Sequence, residues 1–276
     1  MVGSATRVLA SDHAPRGRVN RICEDFRANT VIPVPDVVPR PAAGRIFEGS
    51  RPVRLGDARP SGHLRLDAAA RYLQDLSADD TADAALPDAS FWVVRRTVLE
   101  VQAFPRYLER LQLATWCSGI GSHYAERRIA MAGEHGGRVE ATSLWVHLDR
   151  DSGRPRRLVD GFDDLYGESA GDRKVSARLH HPPPPDGARR VPWPLRVTDF
   201  DLMDHVNNAV YWQVVEEALA ARPLQRAPLR AEVEHRQAVE RGATVEWVAE
   251  ERDAGGLAVW VLGDGHVAAS AVVTSP

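Results

Sequence analysis

The stretch Arg196-Val-Thr-Asp199-Phe-Asp201-Leu-Met-Asp204-His205-Val-Asn207-Asn208-Ala-Val-Tyr211-Trp212 is the densest polar run in the chain, and it has an echo. Leu195-Arg196-Val197 is followed by Asp199 and His205. Val53-Arg54-Leu55 is followed by Asp57 and His63, each position displaced by a constant 142 residues. A helical pattern comes after each histidine. Leu64, Ala68, Leu73 and Leu76 recur at roughly helical spacing in the first block, as do Val206, Val210, Val214 and Ala218 in the second. Gln74-Asp75 stand near the end of the first pattern and Glu216-Glu217 near the end of the other. Fixed spacing joined to the same following element points to an internal duplication.

Strands are expected after each helix. In the first block they read Trp92–Gln102, Arg110–Trp116, Tyr124–Ala132 and Arg138–Asp149, the last two joined through His135-Gly136-Gly137. In the second they read Leu229–Arg236, Thr244–Glu251, Leu257–Leu262 and His266–Thr274, with Asp264-Gly265 as the closing turn. Ala258, Trp260 and Leu262 alternate with their neighbours, as in a sheet with one buried face. Each block is thus a long helix followed by an antiparallel meander, an α+β unit whose sheet face needs a cover. The expected division is a disordered or extended arm over 1–49, a first repeat over 50–179, a Pro-rich linker over 180–194 and a second repeat over 195–276. The linker rests on His180-His-Pro-Pro-Pro-Pro-Asp-Gly187, which can continue neither a helix nor a central strand.

Composition narrows the class. The 276 residues are 43% hydrophobic and 26% charged, ordinary for a globular chain, with a formal net charge of -3 that favours neither nucleic acid nor an anionic membrane. Cys23 and Cys117 cannot make a disulfide framework or a structural zinc site, and His180-His181 has no ligand partners nearby in sequence. No apolar run approaches the roughly 18 residues of a membrane span, and the N-terminal arginines lack the apolar segment of a secretory signal. A soluble, cytoplasmic protein without membrane insertion is expected.

The polar run itself reads as a strand end, an acidic loop and a helix start capped by Asn207 or Asn208. A helix N-terminus offers unpaired N–H groups that can polarise a carbonyl or hold an oxyanion, and the loop adds a carboxylate and an imidazole as base or nucleophile. That set suits hydrolysis of an acyl group. Asp and Asn are also ordinary cap and turn residues, so the bare pattern equally fits a purely structural helix start.

The run Asp199-x-Asp201-x-Met203-x-His205-Val206-Asn207-Asn208-x-x-Tyr211 resembles the motif of hotdog-fold thioesterases. In the first block Gln74-Asp75, Trp92-Val93-Val94-Arg95-Arg96, Phe104-Pro105, Thr115-Trp116 and Thr142-Ser143-Leu144-Trp145-Val146-x-x-Asp149 resemble the acyl-acyl-carrier-protein thioesterase family, over about residues 50 to 275. The resemblance implies two tandem hotdog repeats, each a long central helix wrapped by antiparallel sheet. It implies a thioesterase that releases free fatty acid from acyl-acyl-carrier-protein, or from a CoA thioester, in fatty-acid biosynthesis. Asp201 and His205 fall on the family's catalytic aspartate and histidine. Backbone N–H groups of Val206, Asn207 and Asn208 would hold the oxyanion and orient substrate, with no metal or organic cofactor required. The chain would act as a monomeric pseudo-dimer or as a homodimer. Two positions depart from the family: Met203 stands where many members carry Asn, and Arg236-Gln237-Ala238 where plant members carry Arg-Glu-Cys. These departures support the alternative, a non-catalytic acyl-binding or regulatory hotdog protein. Arg59 stands where the duplication would place a second Asp201, so a single site per chain is expected, the first repeat supplying the acyl pocket. Arg59 could then meet a phosphopantetheine phosphate, or be merely solvated or ion-paired.

Overall fold

The alternating runs pair into one antiparallel sheet in the computed structural model, which describes residues 37–85, 91–149, 151–220, 222, 224–252 and 255–275. The first repeat supplies β1 (Phe47–Pro52), β2 (Phe91–Ala103), β3 (Arg110–Ile120), β4 (Tyr124–Gly133) and β5 (Arg138–Leu148). The second supplies β6 (Val191–Pro192), β7 (Leu229–His235), β8 (Val245–Glu251), β9 (Leu257–Gly263) and β10 (His266–Thr274). Their spatial order is β1-β3-β4-β5-β2-β7-β10-β9-β8-β6. Counted inward from the two edges, β1 matches β6, β3 matches β8, β4 matches β9, β5 matches β10 and β2 matches β7. An approximate two-fold therefore passes between β2 and β7, where Leu99 faces Ala231 and Val101 faces Leu229.

Helices α1 (Leu66–Ala84) and α3 (Asn208–Leu219) lie on one face of this sheet. The stripe Leu66, Ala69, Leu73, Leu76 of α1 and the stripe Val210, Val214 and Ala218 of α3 share one core with Ile129, Met131, Val233 and Val259 from the strands. Each large apolar side chain so buried contributes about 1.5–3 kcal/mol, and this burial, rather than helix propensity, holds the helices in place.

The duplication extends to the loops that enter the helices. Short 3-10 turns span Leu55–Asp57 and Val197–Asp199, bridges join Ala58 to Leu64 and Phe200 to Val206, and α1 and α3 begin at corresponding residues. At the tip of each loop the backbone turns left-handed, at Gly62 (φ 80°) and Asp204 (φ 58°). Glycine adopts that conformation freely, and aspartate is among the residues that tolerate it best. His63 and His205 thus occupy equivalent positions just before the two helices.

Three elements were not expected from the sequence. Strand β1 begins at Phe47, inside the segment assigned to an N-terminal arm; residues 1–36 of that arm lie outside the described residues. Strand β6 is two residues long and contains Pro192, so it carries no alternation to read. Helix α2 (Phe162–Ala170) is short, with Gly167 in its interior, yet Phe162, Tyr166 and Ala170 cover Cys117 and Ala125 beyond the end of α1. The Pro-rich linker is strapped to the sheet: the N–H groups of His180 and His181 donate to Glu234, and Trp260 Nε1 donates to the carbonyl of Pro182 at 2.8 Å. Among the described residues no helix is long and apolar enough to cross a membrane.

Candidate active site

The loop before α3 is shaped by its own carboxylate. Asp201 Oδ1 accepts from the N–H of Met203 at 2.9 Å and of His205 at 3.4 Å, while the Asp201 N–H donates to the carbonyl of His205 at 2.9 Å. Asp201 and His205 are both half-buried and line one cleft of about 500 Å³, together with Met203, Asn208, Tyr211 and Gln237. Burial, and then the Asp201 carboxylate, push the Tyr211 phenol well above its usual range, so this hydroxyl stays protonated beside the acid. Met203 is 49% exposed at the rim, where it has no polar group to satisfy.

The helix cap divides the three expected oxyanion donors. Asn207 is the N-cap of α3, its side chain accepting from the N–H of Ala209 at 2.9 Å. The Val206 N–H donates to the carbonyl of Val239 and the Asn207 N–H to the carbonyl of Asp199. Both are thereby committed to the loop. The N–H of Asn208, first residue of the helix, is not among the N–H groups donated within the loop, it stands at the positive end of the helix dipole, and Asn208 lines the cleft. Of the expected trio, the Val206 and Asn207 N–H groups are thus engaged within the protein.

The corresponding place in the first repeat is filled. Arg59, at the position of Asp201, is 9% exposed and pairs with Glu216 Oε1 at 2.9 Å. Its guanidinium lies over the Phe104 ring, 4.5 Å from the centroid, and Nη1 donates to the carbonyl of Gln225. Glu216 Oε1 also accepts from the N–H of Leu66, the first residue of α1, at 2.6 Å. Arg59 is therefore an interior ion-pair partner, neither solvated nor placed for a phosphate. The α1 residue corresponding to Glu216 is Gln74, so the carboxylate that caps one helix has an amide as its counterpart opposite Asn208. Asp57 is likewise structural: burial raises its carboxyl, but the Tyr72 hydroxyl at 2.7 Å and Arg71 outweigh burial and hold it below the usual range.

A second cavity of about 530 Å³ lies between α1, α2 and the sheet of the first repeat, walled by Ser77, Ala78, Thr81, Cys117, Trp145 and Phe162. Trp92 lines both it and the cleft. On the opposite face of the sheet, His181, Glu232 and Glu234 place donor atoms within 4.8 Å of one another. Their charge is already matched, since Arg230 binds Glu232 and Arg236 binds Glu234. That cluster is an ion-pair network under the linker strap.

His235, which the sequence reading did not single out, also reaches the cleft. Its signal was present: Leu229, Ala231, Val233 and His235 alternate toward the helix-bearing face, so the histidine takes an inward position at the end of a strand. Its ring meets Tyr211 edge-on with centroids 5.2 Å apart. Burial, reinforced by Arg95, pushes the imidazole down to about 3, so it is neutral under physiological conditions.

Two family models match the chain: the acyl-ACP thioesterase N-terminal domain over residues 44–166 and the acyl-ACP thioesterase C-terminal domain over residues 185–269. An uncharacterized protein of Mycobacterium tuberculosis is 31% identical over 229 residues, which cover 83% of this chain and 92% of its own. Oleoyl-acyl carrier protein thioesterase 2, chloroplastic, of Arabidopsis thaliana is 28% identical over 145 residues, 46% of this chain and 38% of its own. Among solved structures, the 12:0-ACP thioesterase from Umbellularia californica shares the fold with a TM-score of 0.70 at 18% identity, over 83% of this chain and 96% of that one.

Proposed function

The chain belongs to the acyl-ACP thioesterase family of thioester hydrolases and has its tandem hotdog fold, and from that premise we propose that it hydrolyses acyl-acyl-carrier-protein to free fatty acid at one site in the second repeat. Water attacks the thioester carbonyl with Asp201 as general base. The developing oxyanion lies at the N-terminus of α3, on the N–H of Asn208. Asp201 returns the proton it takes from the water to the departing thiolate, and His205, on the same cleft, orients the water. The acyl chain passes Trp92 into the cavity of the first repeat.

One observation carries this reading: the asymmetry between the two helix starts. Glu216 and Arg59 fill the N-terminus of α1, whereas the same place at α3 is open and bordered by Asp201 and His205. Hydrolysis of acyl-carrier-protein and acyl-CoA thioesters by the purified chain, followed by thiol release, is the test. The carrier-protein ester should be the better substrate, placing the enzyme at the release step of fatty-acid biosynthesis. Absence of thiol release from both esters would leave the acyl-binding alternative.

A further inference from the structure

Beside the junction of cleft and acyl cavity lies a void of about 10 Å³, lined by Gln74, Thr97, Trp145, Asn208 and His235 among others. Two of its lining residues carry a buried polar atom without a partner among the described residues, Trp145 Nε1 and His235 Nε2. Register explains their placement. Trp145 of β5 pairs with Val94 of β2, and β7 lies on the other side of β2, so the two side chains flank β2 from strands roughly 10 Å apart. Both face the helices. His235 is only 8% exposed and neutral, so it presents one donor and one acceptor nitrogen, while the indole nitrogen of Trp145 is a donor only.

Two orphaned polar atoms in the protein interior are costly unless something completes them. The void has room for about one oxygen-sized group. Asn208 lines the void as well as the cleft, so the void lies within the first carbons of a chain whose carbonyl rests on the Asn208 N–H. Building on the hydrolase reading above, we infer that the side void recognises an oxygen on the β carbon, making 3-hydroxyacyl or 3-oxoacyl thioesters the preferred substrates. A 3-hydroxyl accepts from the Trp145 N–H and donates to His235 Nε2. A 3-oxo group accepts from Trp145 and, in the other imidazole tautomer, from His235 as well. A saturated chain leaves both atoms unpaired.

The test compares decanoyl, 3-hydroxydecanoyl and 3-oxodecanoyl esters on the same carrier, with binding of decanoate and 3-hydroxydecanoate measured in parallel by calorimetry. Two neutral hydrogen bonds correspond to about a 30-fold preference in kcat/KM for the oxygenated ester, and to tighter binding of the oxygenated acid in similar proportion. In Trp145→Phe, and separately in His235→Phe should the first not fold, the ratio of oxygenated to saturated kcat/KM should fall several-fold. Equal rates and equal binding in the unmodified protein would overturn the inference and make the void a water site, leaving the hydrolase reading intact. Discrimination in binding with no hydrolysis of any ester would uphold the recognition and overturn the hydrolase reading.

Discussion

A carboxylate can act as a base only if its lone pair reaches water, and the Asp201 loop uses Oδ1 to hold Met203 and His205 while the group still borders the cleft. Asp201→Asn keeps the shape and removes the base, so turnover should fall about 10²–10⁴-fold. His205→Ala should cost less, because a second water can partly replace an orienting imidazole; steady-state kinetics on folded variants tests the order. His235 gives a prediction on stability. Its folded value, about 3, lies below the ordinary histidine value of 6.5, so the unfolded chain takes up the proton first. Stability from this residue is therefore complete above 6.5 and is lost as pH falls from there toward 3. Urea unfolding at pH 7 and pH 5 should show a drop up to about 2 kcal/mol larger in the unmodified protein than in His235→Phe. At this scale Asp201, His205 and Asn208 were legible because they cluster in one run. No sequence pattern joins Trp145 to His235, which lie far apart in the chain and come to line one void only across β2.

Between elements, the joint of α1 and α3 rests on an ion pair that no local pattern announces: Arg59 and Glu216 are separated by 157 positions. Both are nearly buried, at 8% and 11% side-chain exposure, and Glu216 additionally caps α1 through Leu66. Removing one partner leaves the other charge stranded in the interior, so Glu216→Ala should destabilise by about 3–5 kcal/mol. Arg59→Met with Glu216→Leu removes both charges, and chemical denaturation should show it far nearer the unmodified protein than the single variant is. The long strands and both central helices could be read from alternation and helical spacing, because each buries one continuous face. Strands β1 and β6 sit at the sheet edges, where burial is partial and β6 has no room for a period. Helix α2 needs the exposed ends of α1 and β3 to define its buried side, a surface that exists only in the folded chain.

Over the whole molecule, duplication supplies two helix starts with equivalent histidines but only one open N-terminus. His63 makes the asymmetry measurable. Its Nδ1 lies 3.1 Å from Ser61 Oγ, and burial with Arg59 and Arg106 holds its imidazole below the ordinary value. An arginine stands where its carboxylate partner would be, and Glu216 occupies the N–H that would have met an oxyanion. His63→Ala should therefore leave turnover within about two-fold of the unmodified enzyme, against a clear loss for His205→Ala at the equivalent position. Titration with a non-hydrolysable acyl-pantetheine thioether should reach one ligand per chain in both the unmodified protein and His63→Ala. Two ligands per chain, or loss of turnover in folded His63→Ala, would mean that the first repeat keeps a working site despite its ion pair. On the proposed single-site reading, the second repeat's helix start and the first repeat's cavity take complementary parts. Trp92 lines both spaces, so the cleft at the second repeat's helix start and the cavity of the first repeat meet at a residue of the strand that joins the repeats across the two-fold.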